Sequence, residues 1–94
     1  MRKVTETTVR AFLNGTKKKV GNTSTDGTRL MLHGNVIAKK VNDKILITDA
    51  GWQSPTTKER LNGLLDILGK TRIHQKDFVW YRGQEVFENG FNIA

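Results

Sequence analysis

Apolar residues recur at helical spacing in two stretches and fall into short strand-like runs in two others. Val9, Phe12 and Leu13 sit at i, i+3 and i+4 within Thr5–Asn14, which predicts a short N-terminal helix with one apolar face. Thr5 is its expected N-cap and Gly15 its expected C-terminal stop. The pattern then changes to aliphatic runs separated by the turn dipeptides Asp26-Gly27, Gly34-Asn35 and Asn42-Asp43. The runs Lys17–Thr25, Thr28–His33, Val36–Val41 and Lys44–Thr48 predict a four-stranded antiparallel meander. Leu61, Leu64, Leu65 and Leu68 then fall at i, i+3, i+4 and i+7, the stripe of an amphipathic second helix. Thr56-Thr57-Lys58-Glu59 reads as its capping box and Gly69 as its end. Gly63 costs this helix about 1 kcal/mol relative to alanine and leaves room for another segment to approach. Thr71–Gln75, Phe78–Arg82 and Gln84–Phe87 predict a C-terminal three-stranded meander with turns at Lys76-Asp77 and Arg82-Gly83. The expected class is α+β, one compact domain spanning residues 1–94.

Alternation along the strands assigns faces. A two-residue turn at Gly34-Asn35 and a three-residue turn at Asn42–Lys44 place Leu30, Leu32, Ile37, Val41, Ile45 and Ile47 on one face, against the leucine stripe. Arg29, His33 and Lys40 then surround Met31, Ala38 and Leu46 on the other. This register sets Arg29 beside Lys40, a like-charge pair that either a bound phosphate or Asp26 or Asp43 from a neighbouring turn relieves. In the last meander, Phe78 and Trp80 are expected in the core with Ile73. Arg72, His74, Val79 and Tyr81 share the opposite face. Trp52, in the loop before the second helix, is expected to lie over the core, because its large apolar area favours burial, the alternative being an anchor for a partner.

Charge sharpens this picture. Sixteen Lys and Arg against nine Asp and Glu give a net charge of +7. Residues 1–44 hold ten of the bases and three of the acids, and residues 45–94 hold six of each, so the whole excess sits in the first half. Such asymmetry points to an anionic partner, nucleic acid first, or to a charge that serves solubility. The candidate nucleic-acid-binding residues are Lys17, Lys18, Lys19, Arg29, Lys39 and Lys40, with Arg72 and Tyr81 as a second surface that combines phosphate contact with stacking.

Several chemistries lack their residues. With no cysteine there is no disulfide framework, thiolate zinc site or thiol nucleophile. His33 and His74 stand at no metal-ligand spacing, no G-x-S-x-G or P-loop occurs, and the acids are scattered. Neither enzymatic activity, a metal nor a cofactor is expected. No apolar run approaches the ~18 residues of a membrane span. Met1-Arg2-Lys3-Val4-Thr5-Glu6 leads into no secretory h-region, so a cytoplasmic location is expected.

The segments Gly21-Asn22-Thr23, Asp26-Gly27-Thr28, Leu32-His33-Gly34-Asn35-Val36-Ile37-Ala38, Ala50-Gly51-Trp52 and Thr56-Thr57-Lys58-Glu59-Arg60-Leu61-Asn62 resemble those of small accessory proteins of tailed bacteriophages. The likeness continues through Ile73-His74-Gln75-Lys76 and Val79-Trp80-Tyr81 and covers most of the chain. It brings no activity or site residue with it. It implies a protein made in the host bacterial cytoplasm during infection. Its expected partner is nucleic acid. The alternative is a host enzyme or defence complex that the protein inhibits, as an anti-CRISPR protein does.

Overall fold

The computed structural model describes residues 1–87 and, as backbone, residues 91–93. The elements run α1 (Lys3–Asn14), β1 (Lys18–Val20), β2 (Thr23–Thr25), β3 (Arg29–Leu32), β4 (Asn35–Val41), β5 (Lys44–Ile47), α2 (Pro55–Leu68), β6 (Ile73–Lys76), β7 (Val79–Arg82), β8 (Glu85–Val86) and β9 (Phe91–Ile93). Strands β1 to β5 form an antiparallel meander, and β9 pairs with β5 to complete a six-stranded sheet. Strands β6, β7 and β8 form a second, three-stranded antiparallel sheet. The architecture is α+β, with the C-terminal meander as expected and one more strand in the first meander. The extra strand arises because Gly21-Asn22 is a turn. Gly21 takes φ 59, and Val20 comes to face Thr23 across a tight hairpin.

The helix ends as expected at Gly15 (φ 75) and Gly69 (φ 67), both left-handed C-caps. The N-termini differ from expectation. Thr5 is no cap: it lies inside α1, buried, with its hydroxyl on the Glu59 carboxylate. The cap of α2 is Ser54, whose hydroxyl accepts from the Thr57 N–H at 3.1 Å. Pro55 explains the shift, since it lacks an N–H and is preset for the first helical position, which moves the cap one residue before it. Glu59 is thereby released from capping.

One core serves both sheets. Val9 and Phe12 of α1, Leu30, Ala38 and Ile47 of the large sheet and Leu61, Leu64 and Leu65 of α2 pack with Ile73, Trp80 and Phe87. Leu68 is only half-buried and packs on the edge of this cluster. The helices approach so closely that a Cβ on Gly63 would stand 2.3 Å from the Thr5 methyl, so the glycine makes their contact possible. Asn62 joins the small sheet to α2 by imitating a strand. Its amide donates to Ile73 O at 2.9 Å and its carbonyl accepts from Ile73 N at 2.7 Å.

Candidate nucleic-acid interface

The face of the large sheet that both helices leave open is set by a β-bulge. The β3–β4 hairpin turns at His33-Gly34, with φ 52 and 81, one residue earlier than the Gly34-Asn35 turn of the sequence reading. Leu32 therefore pairs with Asn35 and Met31 with Val36, after which Leu30 pairs with Ala38. The skipped residue, Ile37, is buried beside Ala38. Beyond the bulge every side of β4 is reversed. Ala38 and Lys40 turn to the core face and Lys39 to the open one. The β4–β5 turn is Asn42-Asp43, pairing Val41 with Lys44, Lys40 with Ile45 and Lys39 with Leu46. Ile45 and Ile47 keep their expected core side. Val41 moves to the open side and is 42 % exposed.

Register thus gathers Lys19, Arg29, Lys39 and Lys44 on one sheet face, around the half-buried Met31, Val36 and Leu46. Arg29, Val36, Lys39, Leu46 and Thr48 line a shallow hollow of about 360 Å³ there. Among the described residues, Lys19, Lys39 and Lys44 have no ion-pair partner. Arg29 does: it faces Lys39 rather than Lys40, and its guanidinium lies 2.8 Å from the Asp26 carboxylate. Asp26 also accepts from the Thr28 and Arg29 N–H groups at 2.9 and 2.8 Å. These backbone bonds first, and the guanidinium second, hold its pKa at about 2, below the usual 3.8. The stabilisation is present above pH 3.8 and fades as pH falls through about 2. Asp26 is therefore the relief for Arg29 that the sequence offered as one of two.

The other expected site residues scatter. Lys40 is not on the open face. Its ammonium sits 3.0 Å from Gly27 O and 3.5 Å from Leu13 O, and 5.2 Å from the Phe12 ring centroid. It is a cation at the C-terminal end of α1, where the dipole favours it. Lys17 precedes β1 and is exposed, while Lys18 pairs with Thr25, on the side opposite Lys19. Arg72 lies one residue before β6 and pairs with Asp66 of α2 at 3.1 Å. Tyr81 faces His74 across β6 and β7, their rings stacked at 5.5 Å and 17°. The hairpin between them turns at Asp77-Phe78 instead of Lys76-Asp77, so Gln75 pairs with Trp80 and Ile73 with Arg82. Moving the turn by one residue shifts each pairing by two, so Ile73 and Trp80 keep the core face. Phe78 does not: it becomes the tip, 93 % exposed. Lys44 is the member of the cationic face that sequence reasoning missed, because only the two-residue Asn42-Asp43 turn sets it there.

Trp52 is also exposed, at 77 %, and does not cover the core. Trp80 and Phe87 are buried in the core, 5.8 Å apart. Asp49 shapes the loop: its carboxylate accepts from Gly51 N at 2.7 Å and from Gln53 Nε2 at 3.1 Å, and its carbonyl accepts from Trp52 N at 3.0 Å. Ala50 and Gly51 both adopt positive φ, 57 and 86, which turns Trp52 outward. The indole borders a cleft of about 330 Å³ with His33, Asn35, Ser54, Thr56 and Thr57.

Among the described residues no three His, Asp or Glu side chains converge as a metal site, and no helix is long and apolar enough to cross a membrane. A family model for the Kyanoviridae Gp96 protein, a phage family, matches residues 1–94. The chain belongs to this family. The match spans both sheets and both helices, and the phage resemblance of the sequence stands. The family description names no activity. No curated protein and no solved structure matches the chain.

Proposed function

We propose that this phage accessory protein is a non-enzymatic nucleic-acid-binding protein that uses the open face of its large sheet. The observation that supports this is the convergence of Lys19, Arg29, Lys39 and Lys44 on a face that neither helix covers. Each free lysine there releases counterions when it meets a phosphate, and the half-buried Met31, Val36 and Leu46 give sugars and bases an apolar floor. The test is a salt titration of binding to mixed-sequence single- and double-stranded oligonucleotides. A Lys19/Lys39/Lys44→Ala variant should bind more weakly across sequences and lower the salt slope by about one per lysine removed. Absence of binding below about 100 μM at 100 mM salt, the weak end of non-specific affinity, would overturn the reading.

The exposed Trp52 beside its cleft favours a second reading, inhibition of a host enzyme or defence complex through a protein interface. Tryptophan anchors of this kind dominate interface energetics. A pull-down from bacterial lysate, with and without nuclease, separates the two. A stoichiometric protein partner that survives nuclease and is lost in Trp52→Ala would favour inhibition.

A further inference from the structure

The β6–β7 hairpin turns on two residues that are not glycine, Asp77 at φ 52 and Phe78 at φ 66. Two-residue turns with both central residues at positive φ favour Asn-Gly, because a Cβ in the left-handed region crowds the neighbouring carbonyl. Asp tolerates the conformation, whereas an aromatic residue there is a true outlier. Within a fold, such strain is offset when the ring packs. Here the ring is 93 % exposed and the core gains nothing from it. Strain that the fold itself does not use is a mark of a contact site.

What stands behind the tip has a matching character. Register places His74, Lys76, Val79 and Tyr81 on one face of the hairpin, with Val86 of β8 beside Tyr81. His74 and Tyr81 cover one face of each other's ring, His74 is exposed and Tyr81 half-buried, and Val79 and Val86 are 37 % and 44 % exposed. The opposite face carries Ile73 and Trp80 into the core, so the platform is rigidly backed. Lys76 on this face is exposed and has no ion-pair partner among the described residues, which suits it to a phosphate.

We propose that this hairpin is a stacking platform for single-stranded nucleic acid. Unpaired bases stack on the Phe78 ring and on the His74–Tyr81 pair, with Lys76 at the phosphates. The inference rests on the nucleic-acid reading above and names its substrate class. A duplex buries the π-faces of its bases against one another, whereas a single strand offers them.

Phe78→Gly tests this without endangering the fold, since it relieves the backbone and removes a ring that supports nothing. It should melt a few degrees higher than the parent. It should bind a mixed-sequence single-stranded 12-mer about 5- to 160-fold more weakly, the loss of one stacked base. The salt slope should stay unchanged, because stacking releases no counterions, whereas Phe78→Tyr should restore affinity. The parent should prefer the single strand to a duplex of the same sequence. If Phe78→Gly binds the single strand as tightly as the parent, the platform is overturned while the cationic sheet face stands. If the parent binds neither form, both readings fall and the exposed ring is left for a protein partner.

Discussion

Arg60 of α2 and Lys39 of β4 carry the same charge, yet the fold treats them in opposite ways. Arg60 is 3 % exposed, and its guanidinium donates to Thr23 Oγ1 at 2.8 Å, Thr5 Oγ1 at 3.0 Å and Asn22 Oδ1 at 3.3 Å, with Glu59 as its ion-pair partner. It thus joins α1, α2 and the β1–β2 hairpin through one planar fork, for which the guanidinium geometry suits it better than an ammonium. Lys39 is exposed, faces Arg29 across the sheet and has no ion-pair partner among the described residues. A cation that the fold has fully satisfied has little left for a ligand. A cation set against another cation on an open face has only solvent or a ligand to meet.

This contrast breaks first at Arg60. Arg60→Ala would leave Glu59 without its cation and strip the Thr5 and Thr23 hydroxyls of a donor in the buried seam. Loss of one partner from a buried pair costs about 3–5 kcal/mol, and Glu59 keeps enough exposure to hold the expected loss near 3 kcal/mol. Denaturant unfolding would measure it. A variant within 1 kcal/mol of the parent would place Arg60 among the dispensable surface bases.

Lys40 lies between the extremes. Its ammonium serves Gly27 O and the Phe12 ring near the end of α1, but its side chain is only half-buried. Lys40→Ala should therefore lose about 1–2 kcal/mol, from the cation–π contact and the helix-end charge together. Its nucleic-acid affinity should stay at the parent level. A drop in salt slope with no change in stability would return Lys40 to the interface and contradict the bulge-driven reversal of β4.

These assignments mark how far the sequence speaks. The leucines of α2 announced their helix because a 3.6-residue period needs no tertiary information, and Gly15 and Gly69 announced the ends of α1 and α2 because left-handed caps favour glycine. The faces of β4 were another matter. Alternation is legible, but a bulge reverses it, and nothing in Val36-Ile37-Ala38 distinguishes a regular run from one that buries two consecutive residues. That single skipped residue exchanged Lys39 and Lys40 between open face and core face. Trp52 and Phe78 were misplaced for a different reason. Large apolar rings are buried on average, and the positive φ values that turn these two outward or leave one at a tip belong to Ala50, Gly51, Asp77 and Phe78 itself, of which only Gly51 signals left-handed backbone by its residue type.

The smallest effect gives the sharpest comparison with Arg60. Lys39→Gln removes a charge that opposes Arg29 directly across the β3–β4 pair. Like charges at such positions are unfavourable by roughly 0.2–1 kcal/mol, and Asp26 already takes up part of the Arg29 field. The exposure of Lys39 adds solvent screening, which reduces the term further. The variant should therefore be as stable as the parent or a few tenths of a kcal/mol more stable, with the gain vanishing as salt screens the repulsion. Nucleic-acid affinity should move the other way, with the salt slope falling by about one. Chemical unfolding at low and high salt, paired with a binding titration, reads both quantities. A measurable loss of stability would show that the fold uses Lys39 as it uses Arg60, and the open face would lose its central cation as a candidate contact.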